Sequence, residues 1–153
     1  MNALKFQQDA LTAHMRDPDR AQAACWCRKD NNHMALFING HVCAFLPNAE
    51  MMLDPAKIKE VPGAVSFVEA AMHAWNTNNL LVPTEEYRMQ AGNHKVRIYK
   101  ARAWQTGIDQ GLLKYFDNPA LRLYQMVENK GILITEKTKG FEEPVGIVMP
   151  CRV

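Results

Sequence analysis

Residues 33–47, HMALFINGHVCAFLP, constrain the fold more than any other stretch of the chain. Two apolar, β-rich runs flank Asn39-Gly40, the dipeptide that most readily accepts the positive φ angles of a type I′ turn, so the pattern predicts a tight antiparallel hairpin. An isolated hairpin is marginal in water, and the remaining chain must cover it. The sequence has 153 residues, 48% of them hydrophobic and 22% charged. A chain of that size can bury about 68–70% of its unfolded surface around one core, and we expect a single domain over residues 1–153.

Several classes are excluded at once. Eight Gly and eight Pro among 153 residues are too few for collagen-like, low-complexity or disordered chains. Residues 31–49 carry no formal charge, but Asn39, Gly40, His41 and Pro47 interrupt them, so no spanning helix is expected there. Lys5 and Asp9 break the apolar pattern of the first residues, unlike a signal peptide. We expect a cytoplasmic protein without membrane partners, its four cysteines reduced.

The remaining elements follow from spacing. Asn2 is placed to cap a first helix in which Leu4, Leu11 and Met15 share a face, unless residues 4–6 form a short strand leading into it; Asp17-Pro18 ends it. Residues 23–29 alternate as a strand. A connector follows over 48–61, then a helix with Val65, Val68, Met72 and Trp75 on its core face, ended by Asn76-Thr77-Asn78-Asn79. A second hairpin is expected around Ala91-Gly92-Asn93. The spacing of Trp104, Ile108, Leu112 and Phe116 predicts a helix over 102–116, broken at Asp117-Asn118-Pro119. Three strands close the chain, with turns at Glu128-Asn129-Lys130-Gly131 and Lys139-Gly140. Residues 1–50 and 95–153 can each be drawn as β-α-β-β-β, with a helix-bearing connector over 51–94. Two such units joined edge to edge give an α+β fold with both unit helices on one face of a curved antiparallel sheet.

Charge is unevenly placed. Residues 1–76 hold 7 basic and 8 acidic side chains, residues 77–153 hold 11 and 8. Arg88, Lys95, Arg97, Lys100 and Arg102 form a basic run with His94, and no acid interrupts it before Asp109. Such a run suits phosphate contact, or a solvated strand edge protected from aggregation.

The chain ends Met149-Pro150-Cys151-Arg152-Val153, which is similar to the C-terminal Met-Pro-Met-Arg-Leu of the bacterial DNA polymerase sliding clamp family. Asn39-Gly40-His41 is likewise similar to that family's Thr-Asp-Gly-His-Arg segment, with Asn39 and Val42 in place of its Asp and Arg. Each domain of those clamps is built from two β-α-β-β-β units, and from about Lys95 onward the element order resembles theirs. Family clamps carry three such domains per subunit, whereas this chain has length for one. It could surround DNA only as a homo-oligomeric ring with edge strands paired between copies. The resemblance implies a non-catalytic binding protein of DNA metabolism without cofactor. Duplex DNA would meet Arg102, Lys114, Lys100 and Arg97, with Arg16 and Arg20 after the first helix. Short peptides of DNA-processing partners would dock at Met149, Pro150, Cys151 and Arg152. A protein-interaction module that keeps the fold without binding DNA is the alternative.

Chemistry read from the residues themselves points away from catalysis. Cys25-x-Cys27, even with His14 and His33, lacks the spacing and the second pair of a structural zinc site. His41 and Cys43 share a strand face, but no helix N-terminus or cation favours a thiolate there. Glu85-Glu86 and Glu142-Glu143 face apart in extended chain and read as solvated loop charges.

Overall fold

The computed structural model describes residues 1–116 and 119–153. Helix α1 spans Ala3–Arg16, and three strands follow as a meander: β1 (Ala24–Arg28), β2 (His33–Ile38) and β3 (Val42–Pro47). The connector holds two single 3₁₀ turns and the two-residue strand β4 (Lys59–Glu60), then α2 (Ala64–Asn76). The hairpin β5 (Val82–Gln90) and β6 (His94–Lys100) leads into β7 (Gln105–Asp109) and a 3₁₀ segment, Gln110–Tyr115. A second meander ends the chain: β8 (Leu121–Gln125), β9 (Ile132–Thr138) and β10 (Phe141–Val148).

Local chemistry places these boundaries. The Asn2 side chain accepts the Lys5 backbone N–H at 3.0 Å and caps α1. Four turns between strands carry left-handed residues, as does Asn78 just past α2. Asn39 and Gly40 have φ of 51° and 68°, Asn93 follows Gly92, Asn129 stands between β8 and β9, and Lys139-Gly140 between β9 and β10.

The two meanders join into one seven-stranded sheet, ordered β4-β1-β2-β3-β10-β9-β8. The seam is antiparallel, with Ala44 opposite Gly146 and Val42 opposite Val148. A smaller sheet, β5-β6-β7, stands beside it. The halves thus meet edge to edge as expected, and each meander is preceded by a helical segment. α1 and the 3₁₀ segment share one face of the large sheet: Phe6 and Ala10 pack with Leu36, Val42 and Ala44, and Tyr115 and Phe116 join the same cluster with Ile132 and Ile134. The Phe6 and Tyr115 rings meet edge to face at 4.8 Å, and the Tyr115 hydroxyl donates to Asp9 at 2.6 Å.

Three expectations are corrected. Residues 4–6 belong to α1, not to a leading strand. Residues 102–116 do not form a helix: Gln105–Asp109 is strand β7, paired with β6 from Val96–Asp109 to Lys100–Gln105. Gly107 and Gly111 each weaken a helix there by about 1 kcal/mol relative to Ala, and the pairing of β6 with β7 is open to an extended segment. Third, the sheet is mixed and not wholly antiparallel, since β4 pairs parallel with β1, and the connector helix lies off the face shared by α1 and the 3₁₀ segment. α2 covers the opposite side, where Val68, Ala71 and Ala74 pack on Phe37, Cys43, Phe45 and Leu133. The expected break at Asp117-Asn118 lies outside the described residues.

The Leu4, Leu11 and Met15 stripe of α1 faces solvent, at 50%, 42% and 71% exposure; α1 buries Phe6, Gln7 and Ala10 instead. Gln7 is satisfied there, its Nε2 donating to the Glu50 carbonyl at 2.9 Å and its Oε1 accepting the Met52 N–H at 2.6 Å. Glu142 is also no loose charge: it lies within β10 and accepts from the Tyr124 hydroxyl at 2.6 Å and the Thr135 hydroxyl at 2.7 Å. No described helix is long and apolar enough to cross a membrane.

Candidate binding site

Beyond β10 the chain continues as an ordered tail. The Met149 N–H donates to the His41 carbonyl and the Cys151 N–H to the Gly107 carbonyl, both at 2.8 Å. Gln90 Nε2 donates to the Arg152 carbonyl at 2.9 Å. Gly107 permits this: a Cβ there would stand 2.5 Å from Val153 Cγ1 and 2.7 Å from Val96 Cγ1. The bare glycine of β7 is therefore the floor on which the tail lies.

Met149, Pro150, Cys151 and Arg152 line one cavity of about 500 Å³, with Glu128 and Asn129 across from them. A second cavity of about 560 Å³ adjoins it, lined by Arg88, Lys100, Arg102 and Trp104. Gln105, Glu128 and Val153 are common to both, so the two form one trough. Trp104 is held by its indole N–H, which donates to Gln125 Oε1 at 2.8 Å. Gln125 is fully buried and bonds the Lys130 carbonyl through Nε2 at 2.9 Å, which ties the trough wall to the turn after β8. Arg88, Trp104 and Glu128 were not among the expected site residues. The basic run flagged Arg88, but Trp104 read as helix core and Glu128 as a turn residue.

The six expected DNA-contacting cations part company. Lys100 and Arg102 stand in the trough. Arg97 is committed to its own hairpin, its Nε donating to the Thr84 carbonyl at 2.8 Å and its guanidinium lying over the Tyr87 and Tyr99 rings. Lys114 sits on the 3₁₀ segment, not on a helix with Arg102, and approaches Asp9 at 3.5 Å. Arg16 and Arg20 are exposed at and after the end of α1. The outward face of α1 itself is mixed: Leu4, Leu11 and Met15 are exposed beside Gln8, Thr12 and Arg16, and its other exposed cation, Lys5, is bonded to Asp9 at 2.8 Å. A sequence-blind phosphate lining needs cations along that face.

The thiols are quiet. Burial raises Cys25, Cys27, Cys43 and Cys151 above the ordinary thiol value, Cys27 to about 11. At Cys151 the Asp109 carboxylate adds to that rise, against the Asp109 backbone N–H. Asp109 in turn accepts the Gly111 N–H at 2.8 Å and meets His94 Nδ1 at 2.7 Å. The carboxylate thus stands beside both groups, which disfavours a thiolate at Cys151. Among the described residues no group of three or more His, Cys, Asp or Glu side chains is placed to hold a metal ion.

Comparison with family models, curated proteins and solved structures gave no match. What the site can do therefore follows from its own shape and charge.

Proposed function

We propose that this chain is a non-catalytic protein-interaction module whose trough captures an extended, acidic peptide segment of a partner. The observation that carries this reading is the convergence of Met149, Pro150 and Arg152 with Lys100, Arg102 and Trp104 around one continuous depression. Apolar Met and Pro beside a half-buried indole receive peptide side chains, and guanidinium groups receive carboxylates. Glu128, common to both cavities, can accept backbone N–H groups, which a peptide has and a phosphate backbone lacks.

The clamp-like ordering of the two meanders, the shared face of α1 and the 3₁₀ segment, and the tail sequence all support kinship with sliding clamps. The peptide half of that resemblance is the half the geometry favours. Encirclement of duplex DNA is disfavoured by the sparse cations of α1, where Leu4, Leu11 and Met15 are exposed and Lys5 is paired with Asp9, and by the Lys114–Asp9 pairing. The sheet also ends in β4, only two residues long, which offers little edge for pairing between copies.

Panning a displayed library of random dodecapeptides on the whole chain tests this. Peptides rich in Asp or Glu should be enriched, and Arg102→Glu should weaken them about tenfold, as the loss of one charge-assisted contact does. Equal capture by the variant, or salt-sensitive retention of a short labelled duplex in place of peptide, would count against it.

A further inference from the structure

A second depression, remote in sequence from the tail, has an opening shaped for a strand. Asn79, Leu80 and Leu81 lie antiparallel along the outer edge of β8: the Leu81 N–H donates to the Leu123 carbonyl at 2.8 Å, the Gln125 N–H to the Asn79 carbonyl at 3.1 Å, and Leu80 bridges Tyr124. The chain then leaves that edge. Val82 and Pro83 turn away to pair with Lys100 and Tyr99 of β6 in the smaller sheet. The space that they vacate is a cleft of about 670 Å³ between β5 and β8.

Strand alternation tells which groups face it. Because Leu123 and Gln125 bond outward to Asn79–Leu81, Leu121 presents its N–H and carbonyl to the same side, two residues further along the edge. Among the described residues nothing bonds these two groups. The floor is apolar, with Leu113, Phe116 and Leu123. Two guanidiniums, Arg97 and Arg122, stand in the lining. Arg97 is already held by the Thr84 carbonyl and the tyrosine rings, whereas the half-exposed Arg122 makes only a long contact with Glu142, at 3.5 Å, and is the cation that an incoming carboxylate can share.

We propose that this cleft takes an extended partner peptide that adds to β8 as the strand that Val82 and Pro83 fail to continue, alternating apolar residues toward Leu113 and Phe116 and offering a carboxylate to Arg122. The open edge at Leu121 gives main-chain pairing, the floor gives side-chain selection, and Arg122 gives the sign of the flanking charge. The volume lies within the range of about 300–1,000 Å³ usual for ligand sites. This site is independent of the trough and does not rest on the function proposed above.

The experiment uses the same dodecapeptide library, panned on the Arg102→Glu chain so that trough binders are suppressed. Enrichment of peptides with alternating apolar residues and a flanking Asp or Glu is the expected result. Their affinity should fall about three- to tenfold on N-methylation of the paired peptide bond, the loss of one hydrogen bond. Arg122→Glu should weaken them by a similar factor, while Arg102→Glu leaves them unchanged. The Leu121 and Leu123 amide resonances of labelled chain should shift on addition of the selected peptide. The proposal is overturned by no enrichment, by indifference to N-methylation, by binding that survives Arg122→Glu, or by Leu121 shifts produced equally by dodecanoate, which has a carboxylate and no main chain. Self-association that buries β8 without added peptide would also overturn it.

Discussion

Two glycines show how differently the same residue type can be required. At Gly40 the demand is on the backbone alone: φ is +68°, and no heavy atom lies within 4 Å of the point where a methyl group would stand. Gly40→Ala should cost about 1 kcal/mol, the price of a left-handed conformation, and leave the hairpin intact. At Gly146 the demand is on space. A Cβ would strike the Cys43 carbonyl oxygen across the seam and stand 2.6 Å from Phe116 Cζ. Backbone cannot yield there as a flexible side chain can, so Gly146→Ala should destabilise by about 3 kcal/mol. Urea titration of both variants checks the contrast, and equal losses would contradict it. The cysteines add a chemical prediction. All four thiols are raised by burial, so each should react with a disulfide reagent at pH 8 more slowly than free cysteine, with Cys27 and Cys43 protected until the chain unfolds.

Among the elements, α1 and the 3₁₀ segment are tied by several polar links around a hydrophobic contact, the Asn2 N–H donating to the Tyr115 carbonyl at 2.7 Å and Lys114 approaching Asp9. The Tyr115 hydroxyl donates to Asp9, and Phe6 packs on its ring. Tyr115→Phe keeps the ring and removes the donor, so it should cost about 1.5 kcal/mol, the value of a hydrogen bond to a charged acceptor. Thermal unfolding followed by circular dichroism measures this. The elements also show what the sequence could reveal. The turns at Asn39-Gly40, Gly92-Asn93, Asn129 and Lys139-Gly140 were legible because positive φ leaves a chemical mark. α2 was legible through its stripe. Its position on the far face was legible in principle: Ala35-Leu36-Phe37-Ile38 and Val42–Leu46 are apolar without alternation, the mark of strands covered on both sides. Residues 102–116 misled because a four-residue apolar spacing fits a helix and also fits every second inward position of a strand, Thr106 and Ile108 among them. The trough was half legible, through the tail and the basic run. The cleft was not, since Leu81, Arg97, Leu113 and Leu123 meet only after both sheets have formed.

For the molecule as a whole, stability should be bounded at both ends of the pH scale. Burial acts to raise the carboxyls of Asp9, Asp30 and Glu142, but hydrogen bonds and cations outweigh it: Lys5 and Tyr115 at Asp9, Lys29 and His33 at Asp30, Tyr124 and Thr135 at Glu142. All three lie below their ordinary values. Acids lowered in this way contribute fully above about pH 4 and lose their contribution as pH falls through the folded-state values. Tyr99, Tyr115 and Tyr124 are shifted the other way, chiefly by burial. Their contribution is complete below about pH 10 and is lost as pH rises beyond it. The four thiols, also raised by burial, act in the same sense from about pH 8.5 upward, so the urea midpoint should be flat between about pH 5 and 8 and fall on either side, and Glu142→Gln should flatten the acid limb. A midpoint that falls steadily from pH 8 to 5 would contradict this assignment.

The seam between β3 and β10 has a consequence for biosynthesis. A ribosome delivers the hairpin of β2 and β3 well before Phe141–Val148, the strand that covers the open border of β3, because α2, the smaller sheet and the rest of the second meander come between them. Over that interval the run Val-Cys-Ala-Phe-Leu waits with bare amides, a template for misassociation among nascent chains. Closure of the sheet thus waits on synthesis of the second meander, and chaperones have that interval to guard.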